Sequence, residues 1–97
     1  MFHHAVVFTW RDGTTEEQVA AVAAELAKLP EEVPAIRRYE FGPDAGLDPA
    51  NADFAVVAAF EDAGGYLVYR DHPAHRKVAE NYLNPIVASR SRVQFEV

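Results

Sequence analysis

The sequence predicts an α+β domain in which strands and helices follow one another in the order βαββαβ. Two apolar runs rich in strand-forming residues, Phe2 to Trp10 and Phe54 to Phe60, indicate strands. After residue 15, apolar residues instead recur at the spacing of a helix. No linker, repeat or low-complexity segment divides the 97 residues, so we expect residues 1–97 to form one domain.

The first helix is predicted over residues 15–29, directly after a turn at residues 11–13. Thr14 and Glu17 have the spacing of a capping box, which satisfies backbone N–H groups at a helix start. The apolar positions at helical spacing are Val19, Val22, Ala23, Leu26 and Leu29. Because proline lacks the N–H that a helix interior needs, we expect Pro30 and Pro34 to end the helix.

Two further strands are predicted in the middle of the chain. The second strand spans Ile36 to Phe41 and ends at Gly42-Pro43. Residues 42–52 are rich in Gly, Pro, Asp and Asn, a composition typical of a loop. The third strand, residues 54–60, follows this loop and is almost continuously apolar.

Two short helical pieces and a last strand complete the order. Asp62 is a suitable N-cap for the first piece. Asp71 can cap the second piece, Pro73 fits its first turn, and the piece runs to about Leu83. The last strand lies within residues 86–97, most clearly 93–97. This order is the split βαβ arrangement of a ferredoxin-like domain, whose sheet is mainly antiparallel with helices on one face.

The first and third strands are apolar on both faces. In the first strand His4, Val6 and Phe8 alternate with Ala5 and Val7. An antiparallel sheet with one wet face should instead alternate apolar and polar residues. Since helices cover only one face, we expect a second copy of the chain to cover the other and form a dimeric α+β barrel. The alternative is a monomer that tolerates apolar residues on an exposed face.

The amino-acid composition limits the kinds of molecule that we expect the chain to bind. The chain has 9 Lys and Arg against 15 Asp and Glu, a net charge of −6. This charge disfavours phosphate backbones and anionic lipids, so we expect neither nucleic acid nor a membrane as a partner. The absence of Cys excludes disulfides, thiol nucleophiles and thiolate metal sites. No secretory leader or membrane-spanning segment is visible, so we expect a cytoplasmic protein.

A Tyr and a His are the main candidates for chemistry. Tyr69 lies before His72-Pro73, and a bend there would turn its phenol toward His75. In such a pair the imidazole removes a proton α to a carbonyl, and the phenol donates a hydrogen bond to the developing oxyanion. His4 lies in an apolar row and needs a polar partner or a pocket. The structural alternatives are a helix-entry role for His72, a satisfied core position for His4 and simple packing for the tyrosines.

The predicted site is a cleft between helices and sheet. Its expected walls are Val6, Phe8, Val22, Leu26, Tyr39 and Val56. Arg37 either holds a substrate carboxylate or forms a salt bridge at the rim, whereas Arg90 and Arg92 are interpreted as solvated strand residues. No close carboxylate pattern accompanies the histidines, so we expect no metal site. We also expect no cofactor.

Several of these residues together resemble the stress-responsive A/B barrel (Dabb) family over nearly the whole chain. The resemblance rests on the strand with His4, the segment Asp12–Glu17, and His72-Pro73-Ala74-His75 with Tyr69 three residues ahead. It implies a dimeric barrel of two ferredoxin-like sheets. It also implies that Tyr69, His75 and His4 match pocket residues of a plant polyketide cyclase of this family, which performs an aldol condensation without a cofactor. Gln94 stands where the family often has Asp.

The leading functional hypothesis is binding of a small, largely apolar carbonyl or phenolic compound. His75 would be the base, Tyr69 the oxyanion donor and His4 an orienting group, with cyclase-like or lyase-like turnover as an extension. One alternative is a non-catalytic stress-response or interaction protein with structural histidines. Another is a cofactor-free oxygenase of quinols or phenols.

Overall fold

The computed structural model describes residues 1–97 and shows one antiparallel sheet of four strands in the order β2-β3-β1-β4. In chain order the elements are β1 (Phe2–Trp10), α1 (Glu16–Leu26), α2 (Leu29–Glu32), β2 (Arg38–Pro43), β3 (Phe54–Phe60), α3 (Ala63–Asp71), α4 (Pro73–Val78), a π-helical turn (Ala79–Leu83) and β4 (Val87–Glu96). This architecture confirms the predicted ferredoxin-like α+β fold. None of the helices has the length and apolar character needed to cross a bilayer.

The register of the sheet aligns residues that are far apart in sequence. On one face, Tyr39 of β2 lies opposite Ala58 of β3, Ala58 lies opposite His4 of β1, and His4 lies opposite Gln94 of β4. These four residues therefore form one row across the whole sheet. Because side chains alternate along a strand, every second residue in either direction faces the same side as this row.

The helices pack on the face that carries this row. Phe60 of β3 and Val22 of α1 are completely buried there. On β3, Val56 is 2% exposed, whereas its neighbour Val57, which points to the other side, is 42% exposed. We call the helix-packed side the covered face and the other side the open face. The predicted division of β1 and β3 into two faces is confirmed.

The first helical region begins and ends differently from the prediction. Thr15 is the N-cap in place of Thr14: its side chain accepts from the Gln18 N–H at 3.2 Å, and the Gln18 side chain accepts from the Thr15 N–H at 2.9 Å. The Thr14 hydroxyl is already committed, because it donates to the Arg11 carbonyl. At the other end α1 stops at Leu26, and Pro30 lies in the first turn of α2. Proline is tolerated there because a first-turn N–H has no helical partner.

The second strand is displaced from its predicted position. It begins at Arg38, two residues later than Ile36, which is instead buried in the core before the strand. It also continues through Gly42 and Pro43. Because β2 lies at the edge of the sheet, proline can pair here without a central ladder donor being lost. The predicted loop at residues 42–52 correspondingly starts later.

His72, rather than Asp71, caps the second helical piece. Its Nδ1 accepts a hydrogen bond from the Ala74 N–H at 3.0 Å, and Pro73 occupies the first helical turn as predicted. Asp71 instead forms an ion pair with Arg70. The helix-entry interpretation of His72 is therefore the correct one. His72 is extended and ends α3 as well as beginning α4, so the chain changes direction at this residue.

Candidate functional site

The covered face and the helices enclose a cavity of about 290 Å³ lined by 15 residues. It is the largest concentration of the predicted site residues in the molecule. Those that line it are His4, Val6, Phe8, Leu26, Tyr39, Val56, Tyr69 and His75. They come from α1, α3, α4 and three strands, so the cavity exists only once the helices have packed on the sheet.

Two of the predicted wall residues lie elsewhere. Val22 has no exposed surface and packs in the core beside the cavity. Arg37 precedes β2 and donates from Nη2 to Glu61 Oε2 at 3.1 Å, with both side chains more than half exposed. Of the two roles considered for Arg37, the structure thus shows the salt bridge at the surface and places the side chain outside the cavity.

Two tyrosines form one end of the cavity. The Tyr69 and Tyr39 hydroxyl oxygens are 2.8 Å apart and share a hydrogen bond. Burial raises the pKa of Tyr69 to about 12 and also raises the pKa of Tyr39, so both phenols are neutral near pH 7. In this pair one hydroxyl donates and the other accepts, and the accepting hydroxyl keeps its own proton. The pair therefore always has one proton available for a ligand, and Tyr39 is more than the apolar wall that we predicted.

His75 lies against Tyr69, with ring centroids 4.2 Å apart. Its Nδ1 is 3.0 Å from the Arg70 carbonyl oxygen. Because a carbonyl only accepts hydrogen bonds, Nδ1 carries the proton, and in the neutral ring Nε2 holds a lone pair. Burial lowers the pKa of His75, which favours this neutral form. The bend at His72-Pro73 thus brings Tyr69 and His75 together, as predicted from the sequence.

His4 is a buried histidine with a polar partner. It is 6% exposed, and Gln94 Nε2 donates to its Nδ1 at 2.8 Å. Burial, and then the charges on His75 and Arg92, lower the pKa of His4 to about 4. The ring is neutral at pH 7, and its Nε2 carries the proton because Nδ1 accepts. His4 is therefore both a satisfied core histidine and a cavity residue with an N–H to offer.

Several cavity residues were not predicted from the sequence. The polar or aromatic ones are Tyr66, Arg70, Arg90, Arg92 and Gln94. Three of them alternate along β4 on the face of His4, Val6 and Phe8. The alternation was visible in the sequence, but it did not reveal that this face borders a cavity. Arg90 and Arg92 are exposed strand residues, as expected, yet they also line the site.

No group of three or more His, Cys, Asp or Glu side chains is arranged to hold a metal ion. The polar groups that a ligand would meet in the cavity are phenols, neutral imidazoles, guanidinium groups and one amide.

Comparison with known proteins places this fold in a group of related domains. The family model of the stress responsive A/B barrel domain (Dabb) matches residues 2–97. No curated protein matches the chain. A dimeric ferredoxin-like protein of unknown function from Thermobifida fusca is 41% identical, with a TM-score of 0.92 over 99% of this chain and 90% of that one.

Two more distant structures share the fold. A Dabb family protein from Mesorhizobium loti is 20% identical, with a TM-score of 0.82 over 99% of this chain and 95% of that one. A hydroxynitrile lyase from Passiflora edulis is 17% identical, with a TM-score of 0.86 over 99% of this chain and 92% of that one. At these identities the likeness shows the fold alone.

Proposed function

The chain belongs to the stress responsive A/B barrel family, and we propose that it forms a homodimer whose cavity binds a small, largely apolar carbonyl or phenolic compound and moves a proton on it. The observation that carries this proposal is the pairing of His75 with Tyr69 in one cavity. The imidazole has a free lone pair, and the phenol pair has a free proton. A base and a hydrogen-bond donor are what abstraction of a proton α to a carbonyl requires.

The proposed step uses only groups of this chain. His75 Nε2 takes the α-proton of a bound carbonyl compound, and the electron pair of the broken C–H bond moves into the carbonyl to form an enolate. The phenol proton of the Tyr69–Tyr39 pair stabilises the negative oxygen. Return of the proton from His75 completes the cycle, so no oxidant, metal or cofactor enters the step.

The remaining cavity residues fit an apolar ligand. Val6, Phe8 and Val56 come from the covered face of β1 and β3, and Leu26 comes from α1. These buried apolar side chains lower the polarity of the cavity wall, which strengthens electrostatic interactions beside it. His4 would orient the ligand through its Nε2–H.

An enolate held in this cavity can also form or break a carbon–carbon bond. That extension corresponds to cyclase-like or lyase-like turnover. It is supported by the Passiflora edulis hydroxynitrile lyase, whose fold this chain shares. The ferredoxin-like scaffold therefore accommodates a lyase in at least one other protein.

The homodimer is supported by the open face. Val7, Val57, Val93 and Phe95 are each between 40% and 55% exposed there. Ala5 lies between Val57 and Val93 in one row of the register, so the exposed apolar residues form a continuous patch over β3, β1 and β4. The Thermobifida fusca protein, which is 41% identical, is dimeric. A second copy of the patch is the occupant that best fits a self-complementary twofold interface.

Exchange of α-protons tests the proposed chemistry without knowledge of the natural substrate. The probe is 4-hydroxyacetophenone in D₂O, and the loss of its methyl proton signal is followed by NMR. We expect the protein to accelerate exchange and His75→Gln to reduce that acceleration by roughly 100-fold, a usual contribution of a general base. Tyr69→Phe should have a smaller effect, about tenfold, because the Tyr39 hydroxyl is then free to donate.

His72→Asn is the matched control. It replaces a histidine three residues from His75 that lies outside the cavity, and Asn preserves the helix cap. Exchange in this variant should equal that of the wild type. If His75→Gln also exchanges at the wild-type rate, His75 is not the base; if the probe binds without any accelerated exchange, the non-catalytic alternative is the correct one.

A further inference from the structure

The charges around the cavity are unlike those of the chain as a whole. Three arginines line it, Arg70, Arg90 and Arg92, and no Asp or Glu does. Over the whole sequence, by contrast, acidic residues exceed Lys and Arg by 15 to 9. An acidic protein thus presents only positive formal charge to whatever enters this site.

Only two of the three arginines are available to a ligand. Arg70 is neutralised by Asp71, with Nε and Nη2 donating to the two carboxylate oxygens at 2.9 and 3.1 Å. Arg90 and Arg92 form no ion pair. Two positive charges at the cavity therefore lack a negative partner within the chain.

Arg90 is held in position without being neutralised. Its Nη2 donates to Asn84 Oδ1 at 2.8 Å, and its guanidinium carbon lies 5.4 Å from the centroid of the Phe8 ring. Neither contact removes the charge. Burial, and then the charge of Arg92, lower the pKa of Arg90, and an anion between the two side chains would relieve that repulsion.

The two arginines and the phenol pair lie at opposite edges of the sheet. Arg90 and Arg92 are two residues apart on β4, so their Cα atoms are about 6.7 Å apart along one face. Tyr39 lies on β2, three strand spacings away, or about 14 Å. The floor between them, on β1 and β3, is apolar apart from His4 and includes Val6 and Val56. A ligand that spans the cavity would meet guanidinium groups at one end and the proton-transfer groups at the other.

We propose that Arg90 and Arg92 bind a carboxylate of the ligand, so that the cavity selects small apolar carboxylic acids carrying a carbonyl or phenol group at the far end. This inference rests on the proposed function, because it assigns the substrate class of the same cavity. Guanidinium groups match the planar carboxylate through paired N–H donors. The apolar floor accounts for the body of the ligand, and the Tyr69–His75 end accounts for its reacting group.

A matched pair of probes tests the assignment. The acid probe is 4-acetylbenzoate and the neutral probe is 4-acetylbenzamide, which has nearly the same shape. Dissociation constants are measured by calorimetry, and NMR shifts of the His4 and His75 ring protons report whether each probe is in the cavity. We expect the dissociation constant of the acid to be at least about tenfold lower than that of the amide, which is the range for a charge-assisted contact.

Variants then locate the selectivity. Arg90→Gln and Arg92→Gln should each lower affinity for the acid about tenfold and leave affinity for the amide unchanged. Arg76→Gln is the control, since it removes an exposed arginine of α4 that lies outside the cavity and has no ion pair. A second measurement uses only wild-type protein: added NaCl should weaken binding of the acid and not of the amide.

The outcomes separate this inference from the proposed function. If both probes bind in the cavity with equal affinity, the carboxylate assignment is wrong and the proposed function stands. If neither probe binds, both are wrong. Inorganic phosphate should not displace the acid at equal concentration; displacement would indicate a general anion site and would overturn the assignment to apolar carboxylic acids.

Discussion

The two faces of β1 share one backbone and differ in burial. His4, Val6 and Phe8 face the helices and are all buried, whereas Ala5 and Val7 between them face outward and are partly exposed. The covered face is completed by helices of the same chain, and it holds the cavity. The open face is completed by nothing in the chain. A strand with a period of two residues thus lines a cavity on one side and an apolar patch on the other.

Burial of the two faces of the sheet depends on protein concentration in different ways. Helices joined covalently to the sheet cover one face at any protein concentration. A second subunit would cover the other face only above its dissociation constant, because association depends on concentration. Substitutions on the two faces should therefore differ in size and in concentration dependence.

The largest expected contrast is between two phenylalanines. Phe60 on the covered face is completely buried, and Phe95 on the open face is 47% exposed. Phe60→Ala should lower the free energy of unfolding by about 3–5 kcal/mol at any protein concentration. Phe95→Ala should have a small effect in dilute protein and a larger one in concentrated protein. Urea unfolding at two protein concentrations measures both; equal losses for the two variants would mean that the faces are not distinct.

A change of pH should act on the covered face through His4. Its pKa is lowered from 6.5 to about 4 in the folded state. Between these two values the unfolded chain binds a proton that the folded chain does not, so stability is complete above pH 6.5 and declines as the pH falls toward 4. At about 1.4 kcal/mol per pKa unit, the loss is at most about 3.5 kcal/mol.

The variant His4→Gln isolates this contribution. The difference in free energy of unfolding between wild type and variant, measured by urea unfolding from pH 7.5 to pH 4, should shrink as the pH falls. The pKa of His75 is lowered in the same direction and His75 is present in both proteins, so only its charge coupling to His4 enters the difference. A difference that is constant with pH would show that His4 keeps its ordinary pKa.

A charge placed on the open face should separate the proposed subunits. Val57→Lys puts an ammonium group in the apolar patch, and twofold symmetry puts a second one nearby. We expect the dimer dissociation constant to rise by roughly 100-fold, about 2.7 kcal/mol. Analytical ultracentrifugation measures it. Val68→Lys is the matched control, because Val68 is 54% exposed and lies on α3 in the helical layer. A wild-type protein that stays monomeric at high concentration would contradict the dimer.

The sequence predicted the fold more closely than the site. Strands β1 and β3 begin and end at the predicted residues because both apolar runs are continuous and a turn follows β1 while a loop precedes β3. The second strand was misplaced because Ile36 contributes to the core without pairing, and Pro43 pairs at an edge where prolines are allowed. For both residues the position in the tertiary structure, and not the local sequence, decided whether the residue belongs to the strand.

In the cavity, the local sequence predicted the groups near the bend at His72-Pro73. It did not predict the groups that reach the cavity from β4. Tyr69, His72 and His75 are close in sequence, so their convergence followed from one bend. Arg92 and Gln94 reach the cavity only because β4 pairs with β1 in one particular register. Gln94 and His4 are 90 residues apart, and nothing in either segment alone specifies their hydrogen bond.

The sequence by itself determined the order of elements, the two-faced strands and the break that directs Tyr69 toward His75, because these depend on residue period, caps and prolines along a short stretch of chain. Only the tertiary structure decided that Tyr39 shares a hydrogen bond with Tyr69, that Gln94 fixes the tautomer of His4, and that two unpaired arginines border the cavity. Those relations depend on strand register and on how the helices pack across the sheet, and contacts of that kind join residues whose local sequences carry no information about each other.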